Sequence, residues 1–127
     1  MKDTVIARET FDRLRQATAG DPSTLLQLCR EYVAEARSTV VRLRKALARA
    51  DAVALCEQAH YLKGSSLMIG AKGLSQYCAR LEQMGRNSNL SGAGAALDEA
   101  VAELKAVEKE LSRELGPVAL PAEGSAA

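Results

Sequence analysis

Apolar residues recur at helical spacing along nearly the whole chain. Leu25, Cys29, Tyr32, Ala36, Val40, Leu43, Leu47 and Ala50 step by threes and fours, which marks one buried face of a single long helix of about 28 residues. Gly20 ends the element before it, Asp21 can cap, and Pro22 fits the first helical position. The far end is basic (Arg42, Arg44, Lys45, Arg49), which suits the negative end of the helix dipole. A third segment runs from Asp51, a second capping residue, to Ile69 and stops at Gly70. The fourth covers Lys72 to Arg86, with Leu74, Tyr77, Cys78, Leu81 and Met84 on one side. A polar, Gly-rich turn over Asn87 to Gly94 precedes a fifth helix carrying Leu97, Val101, Leu104, Val107, Leu111 and Leu115. Ahead of all these, Thr4 to Ala19 predicts a shorter amphipathic helix using Val5, Ile6, Phe11 and Leu14.

These elements predict an all-α domain over residues 1–115: an antiparallel four-helix bundle with an additional short N-terminal helix. The remainder, 116–127, reads GPVALPAEGSAA, without period and with two prolines, and is expected to be a disordered tail. The composition agrees. The chain is 47% hydrophobic but only 3% aromatic (Phe11, Tyr32, Tyr61, Tyr77), so its core must be aliphatic. Leu and Ala suit close helix packing, and β-branched residues are too sparse for a sandwich or barrel.

Charge narrows the function. A net charge of +1 gives no surplus of Lys and Arg for binding nucleic acid or an anionic membrane. Exposed aromatics for base stacking are lacking, and no apolar run approaches the length of a membrane span. The opening MKDTVIARETF is charged and interrupted, unlike a secretory signal. Cys29, Cys56 and Cys78 form an odd set without CxxC spacing, which reads as reduced thiols and a cytoplasmic location.

The third helix has an unusual outer face. With His60 at zero and about 100° per residue, Leu55, Leu62, Ser66, Ile69, Ala59 and Ala52 fall on a core arc of roughly 180–280°. Opposite them, beside His60, come Val53, Cys56, Lys63, Gly64 and Leu67. A solvated face would carry Glu, Gln, Lys and Arg; an apolar stripe around one imidazole suggests a docking surface. Gly64, mid-helix, costs on the order of 1 kcal/mol relative to Ala. Glycine often admits a neighbouring helix, but position 64 faces away from the core. Its missing side chain instead lies one turn from the ring and leaves that edge clear for another molecule. Lys63 can bring positive charge to the same ring, although most lysines are simply solvated.

Other chemistry is weaker. Ser65 and Ser66 suit tight helix packing; as nucleophiles they would have to use His60 as base, and no oxyanion-hole motif supports them. GAKG at 70–73 lacks the P-loop frame. Cys56 and His60, four residues apart, could share a metal, but only those two ligands are plausible, because Cys29 and Cys78 fall on apolar stripes.

The segment AHYLKGSSLMIGAKGLSQYCARLEQMGR, residues 59–86, closely resembles the histidine-containing phosphotransfer (HPt) domains of multistep two-component phosphorelays. The pattern is His60-x-Leu62-Lys63-Gly64-Ser65-Ser66, then Ile69-Gly70-Ala71, Leu74, Cys78, Leu81-Glu82 and Gly85-Arg86. The resemblance implies a four-helix core with His60 as an exposed phosphoacceptor, Lys63 near the phosphoryl group and Gly64 as clearance for the partner. It implies that Glu82, at a position often Gln and sometimes Glu, can hydrogen-bond the imidazole, and that Arg86 lies near the same site. It implies a phosphocarrier that is not an enzyme and has no ATP-binding part. His60 would accept a phosphoryl group from the aspartate of a receiver domain and pass it to, or take it back from, another. The expected partners are receiver domains of a hybrid histidine kinase or a response regulator. No cofactor is expected on this chain, Mg²⁺ belonging to the receiver, and the chain is expected to be a monomer. The rivals are a helical interaction adaptor with an unused histidine and, more remotely, the Cys/His metal site.

Overall fold

The structure is a computed structural model and describes residues 5–119. Five helices follow in order: α1 (Arg8–Ala17), α2 (Pro22–Ala48), α3 (Ala52–Ile69), α4 (Lys72–Arg86) and α5 (Ala93–Leu115). In the bundle, α2 packs on α3, α3 on α4, α4 on α5 and α5 back on α2, while α1 lies against α3 and α2. Short turns at 49–51, 70–71 and 87–92 make successive helices antiparallel.

Local chemistry sets the ends. The Asp21 carboxylate accepts from the Ser23 amide with Pro22 in the first turn, and the Asp51 carboxylate accepts from the Ala54 amide. Gly70 closes α3 in the left-handed region at φ 90°, with the Ala71 amide donating to the Ser66 carbonyl at 2.8 Å. The core is aliphatic, built on Leu25, Leu43, Leu55, Leu62, Leu74, Leu81, Leu97 and Leu111 with Phe11 at one end.

The first helix is shorter than its apolar pattern predicts. Residues 5–7 are not helical, because the Ala7 amide donates to the Gly70 carbonyl at 2.9 Å and Ala7 is extended. Ile6 is nevertheless fully buried, so it is core as its apolar pattern predicts although its backbone is not helix. Thr4 lies outside the described residues, and at the other end Ala19 takes φ 53°. The boundary expected at 116 also shifts. Val118 is buried, its amide donates to Ser112 Oγ at 3.3 Å, and Arg30 Nε donates to the Pro117 carbonyl at 3.1 Å. The rest of the expected tail, 120–127, lies outside the described residues.

Candidate functional site

Helix α3 turns two unlike faces outward and inward. Leu55, Ala59, Leu62, Ser66 and Ile69 are buried, while the His60 side chain is 68% exposed. Gly64 lies one turn beyond the ring, and a methyl group placed on it would meet nothing within 4 Å. No other helix of the described protein therefore packs against that position. Val53 and Leu67 are exposed as the wheel predicts. Tyr61 and Met68 are exposed too and widen the apolar skirt. Sequence reasoning did not single these two out, although they fall at roughly 100° and 80° on the same wheel. Cys56 departs from expectation: it is half-buried, because α4 crosses it at Gly85.

The ring is held from α4. Glu82 faces the α3–α4 seam and its side chain is only 6% exposed. Its Oε2 lies 2.8 Å from His60 Nδ1 and accepts from Arg86 at 3.1 Å. Its Oε1 pairs with Lys63 Nζ at 2.6 Å. The structure thus brings His60, Lys63, Glu82 and Arg86 together around one carboxylate, with Gly64 open beside them. Lys63 was expected next to an incoming phosphoryl group; here its ammonium bonds Glu82.

Burial by itself would favour a protonated, neutral Glu82. The Lys63 hydrogen bond outweighs it and, with the His60 bond, holds the carboxyl below the usual glutamate range. An ionised carboxylate can only accept, so Nδ1 must be the donor. In the neutral ring the lone pair then resides on Nε2. A buried anion on α4 in this way selects which nitrogen of an exposed imidazole is free to react, much as a metal-bound or triad histidine is oriented through its other nitrogen.

The two cysteines expected in the core, Cys29 and Cys78, are fully buried. Burial pushes the Cys29 thiol up to about 11 and the Cys78 thiol up to about 12. Among the described residues, no three His, Cys, Asp or Glu side chains come together as a metal-binding group. None of the described helices is long and apolar enough to cross a membrane.

Comparison with known proteins agrees with the fold. A profile of the Hpt domain matches residues 27–113. Multistep phosphorelay regulator 1 of Schizosaccharomyces pombe is 28% identical over 109 residues, which are 85% of this chain and 37% of that protein. The chain therefore spans little over a third of that relative's length. Among solved structures, histidine-containing phosphotransfer protein B from Pseudomonas aeruginosa PAO1 is similar with a TM-score of 0.81 at 27% identity. The match covers 86% of this chain and 92% of that one.

Proposed function

The chain belongs to the Hpt domain family, and from that premise we propose that it is a phosphorelay intermediate carrying its phosphoryl group on His60. The observation that supports this most is the pairing of an exposed ring with a buried carboxylate: Nδ1 lies 2.8 Å from Glu82 Oε2. An ionised carboxylate there makes Nδ1 the donor, which leaves the lone pair of the neutral ring on Nε2.

In this reading Nε2 attacks the phosphorus of an aspartyl phosphate on a receiver domain. The N–P bond forms as the acyl P–O bond breaks, and the aspartate leaves as carboxylate. No proton has to depart, because the Nδ1 proton stays on the ring, donated in a hydrogen bond to the Glu82 carboxylate throughout. The positive charge that the ring gains is balanced by that same carboxylate. Return of the phosphoryl group to a receiver reverses each change. The transition state spreads negative charge over three oxygens, so alignment and nearby cations matter more than covalent chemistry. Lys63 has three N–H donors, of which Glu82 needs one, and Arg86 is 60% exposed. In this reading both turn remaining donors toward the phosphoryl oxygens. Gly64 admits the partner, and Val53, Tyr61, Leu67 and Met68 form its apolar landing area. The partners are receiver domains of a hybrid kinase, a response regulator or both, and the divalent cation sits in the receiver's own acidic pocket. Unpaired thiols at Cys29, Cys56 and Cys78 support a reducing, cytoplasmic setting.

The test is transfer from labelled, phosphorylated receiver domains of the source organism. Acid-labile label on the wild-type chain and none on His60→Gln is the expected result. Failure of every receiver to label the wild-type chain would overturn the carrier role and leave an interaction adaptor.

A further inference from the structure

Helices α3 and α4 approach at Gly85 more closely than any side chain there would permit. A methyl group on Gly85 would lie 2.7 Å from the Ala52 carbonyl oxygen, 2.7 Å from the Cys56 amide nitrogen and 2.9 Å from Cys56 Cβ. Two of these atoms are backbone, so no change of rotamer relieves the overlap. The contact also lies one turn from the His60–Glu82 pair on both helices. Cys56 is i−4 from His60 and Gly85 is i+3 from Glu82, spacings that share a helix face. Glycine inside a helix is costly, and here a specific contact requires it.

We propose that Gly85 is a positioning residue for His60. Its missing side chain sets the spacing of α3 and α4, and that spacing keeps Glu82 Oε2 within reach of Nδ1. Restoring ordinary van der Waals contact around an alanine would part the helices locally by roughly 0.7 Å. Added to the present 2.8 Å, that brings the bond to the limit of hydrogen bonding. The tautomer lock is then lost and Nε2 no longer holds its lone pair dependably. The consequence for transfer rests on the phosphorelay reading; the effect on the ring does not.

The chain has a single histidine, so side-chain nitrogen NMR at alkaline pH reports His60 directly. Gly85→Ala, folded by its melting curve, is expected to lose the Nδ1-protonated signature and show the mixed tautomers of a free imidazole. Transfer from a phosphorylated receiver should slow about tenfold, since displacing a reacting group by about 1 Å can cost on the order of 100-fold. Gly94→Ala, at a helical glycine with open space around it, should change neither readout. A folded Gly85→Ala chain with the wild-type tautomer overturns the proposal and leaves Gly85 as packing alone. Should Gly85→Ala not fold, Glu82→Asp decides the matter, because it withdraws the carboxylate by one methylene without disturbing the helix contact. Retention of the tautomer in Glu82→Asp overturns control by spacing; its loss shows that a change of this size in the carboxylate's reach is enough to release the ring, as the proposal requires. Absence of transfer in the wild-type chain would refute the carrier role while leaving the tautomer result intact.

Discussion

The inward and outward faces of α3 both reach another helix through side-chain hydrogen bonds, and one bond from each invites comparison. Inside, Ser66 Oγ lies 2.7 Å from the Tyr32 hydroxyl; outside, His60 Nδ1 lies 2.8 Å from Glu82 Oε2. The lengths are alike and the surroundings are opposite. The inner pair is neutral and sealed, and burial pushes the Tyr32 hydroxyl's ionisation far up. Hydrogen bonding there satisfies polar groups that the core would otherwise strand. The outer pair sets an anion against a ring that stands mostly in water with one nitrogen left over. Bond length therefore does not tell a structural contact from a chemical one. What separates them is the reactive capacity that remains once the bond is made.

The sharpest way to break this comparison is to remove each face in turn. His60→Gln should abolish labelling by receivers entirely. Its effect on unfolding should stay within about 0.5 kcal/mol, because the side chain is mostly exposed and Glu82 keeps both of its cations. Leu62→Ala, two residues away and pointing inward, should do the reverse. Burial at 1% exposure predicts a loss of about 2–5 kcal/mol in denaturant unfolding, with the folded fraction still accepting phosphoryl groups. A large stability loss in His60→Gln would mean that the outward face carries core energy after all.

The inner bond can be tested at smaller cost. Ser66→Ala leaves the Tyr32 hydroxyl buried without its partner and should lose about 1–3 kcal/mol, read by chemical denaturation. The double variant with Tyr32→Phe should recover part of that loss, because no polar group is then stranded. Labelling should be unaffected in both.

Much of this contrast was legible before any coordinates. Period and capping residues placed α4 over Lys72–Arg86 and started α2 and α3 after Asp21 and Asp51, since those signals act within one turn. The wheel separated His60 and Gly64 from Leu62 and Ser66, because a helix's geometry fixes which residues share a face. Ile6 was recognised as core but not as extended chain, because the bond that straightens Ala7 comes from Gly70, distant in sequence. The segment at 116–118 reads as tail for a similar reason: the Pro117 carbonyl accepts from Arg30, which is distant in sequence. At the site, the family resemblance pointed to Glu82, but only the fold shows that its carboxylate is buried and shared by Lys63, His60 and Arg86. Gly85 stood in the motif without a role, since the closeness of two helix backbones leaves no mark in either helix's own period.

The charge on Glu82 offers a finer distinction. Glu82→Gln keeps an oxygen that accepts from Nδ1–H but loses the anion, so transfer should slow by less than tenfold, about 1 kcal/mol. The pH dependence has a definite sign. Glu82's folded carboxyl lies below the ordinary value of 4.5, so its stabilising contribution is complete above that pH. It fades as pH falls through the lower folded value. Melting temperatures of wild type and Glu82→Gln should therefore differ most near neutrality and converge in acid. A difference that grows on acidification would show that Glu82 is destabilised, not stabilised, as an anion.

Gly64 gives the smallest effect and the cleanest separation of stability from access. Its backbone is ordinary helix and a methyl group there meets nothing, so Gly64→Ala should stabilise the protein by about 1 kcal/mol, seen as a raised melting temperature. Gly64→Gln should keep much of that gain while slowing transfer from a receiver, because its longer side chain reaches over the edge of the ring. A Cβ at position 64 meets nothing in the described protein, so comparison of the Ala and Gln variants separates the helix gain from the obstruction of the ring. Equal transfer rates for Gly64, Ala and Gln variants would mean that receivers approach His60 from another side, and the open edge beside the imidazole would then be unrelated to docking.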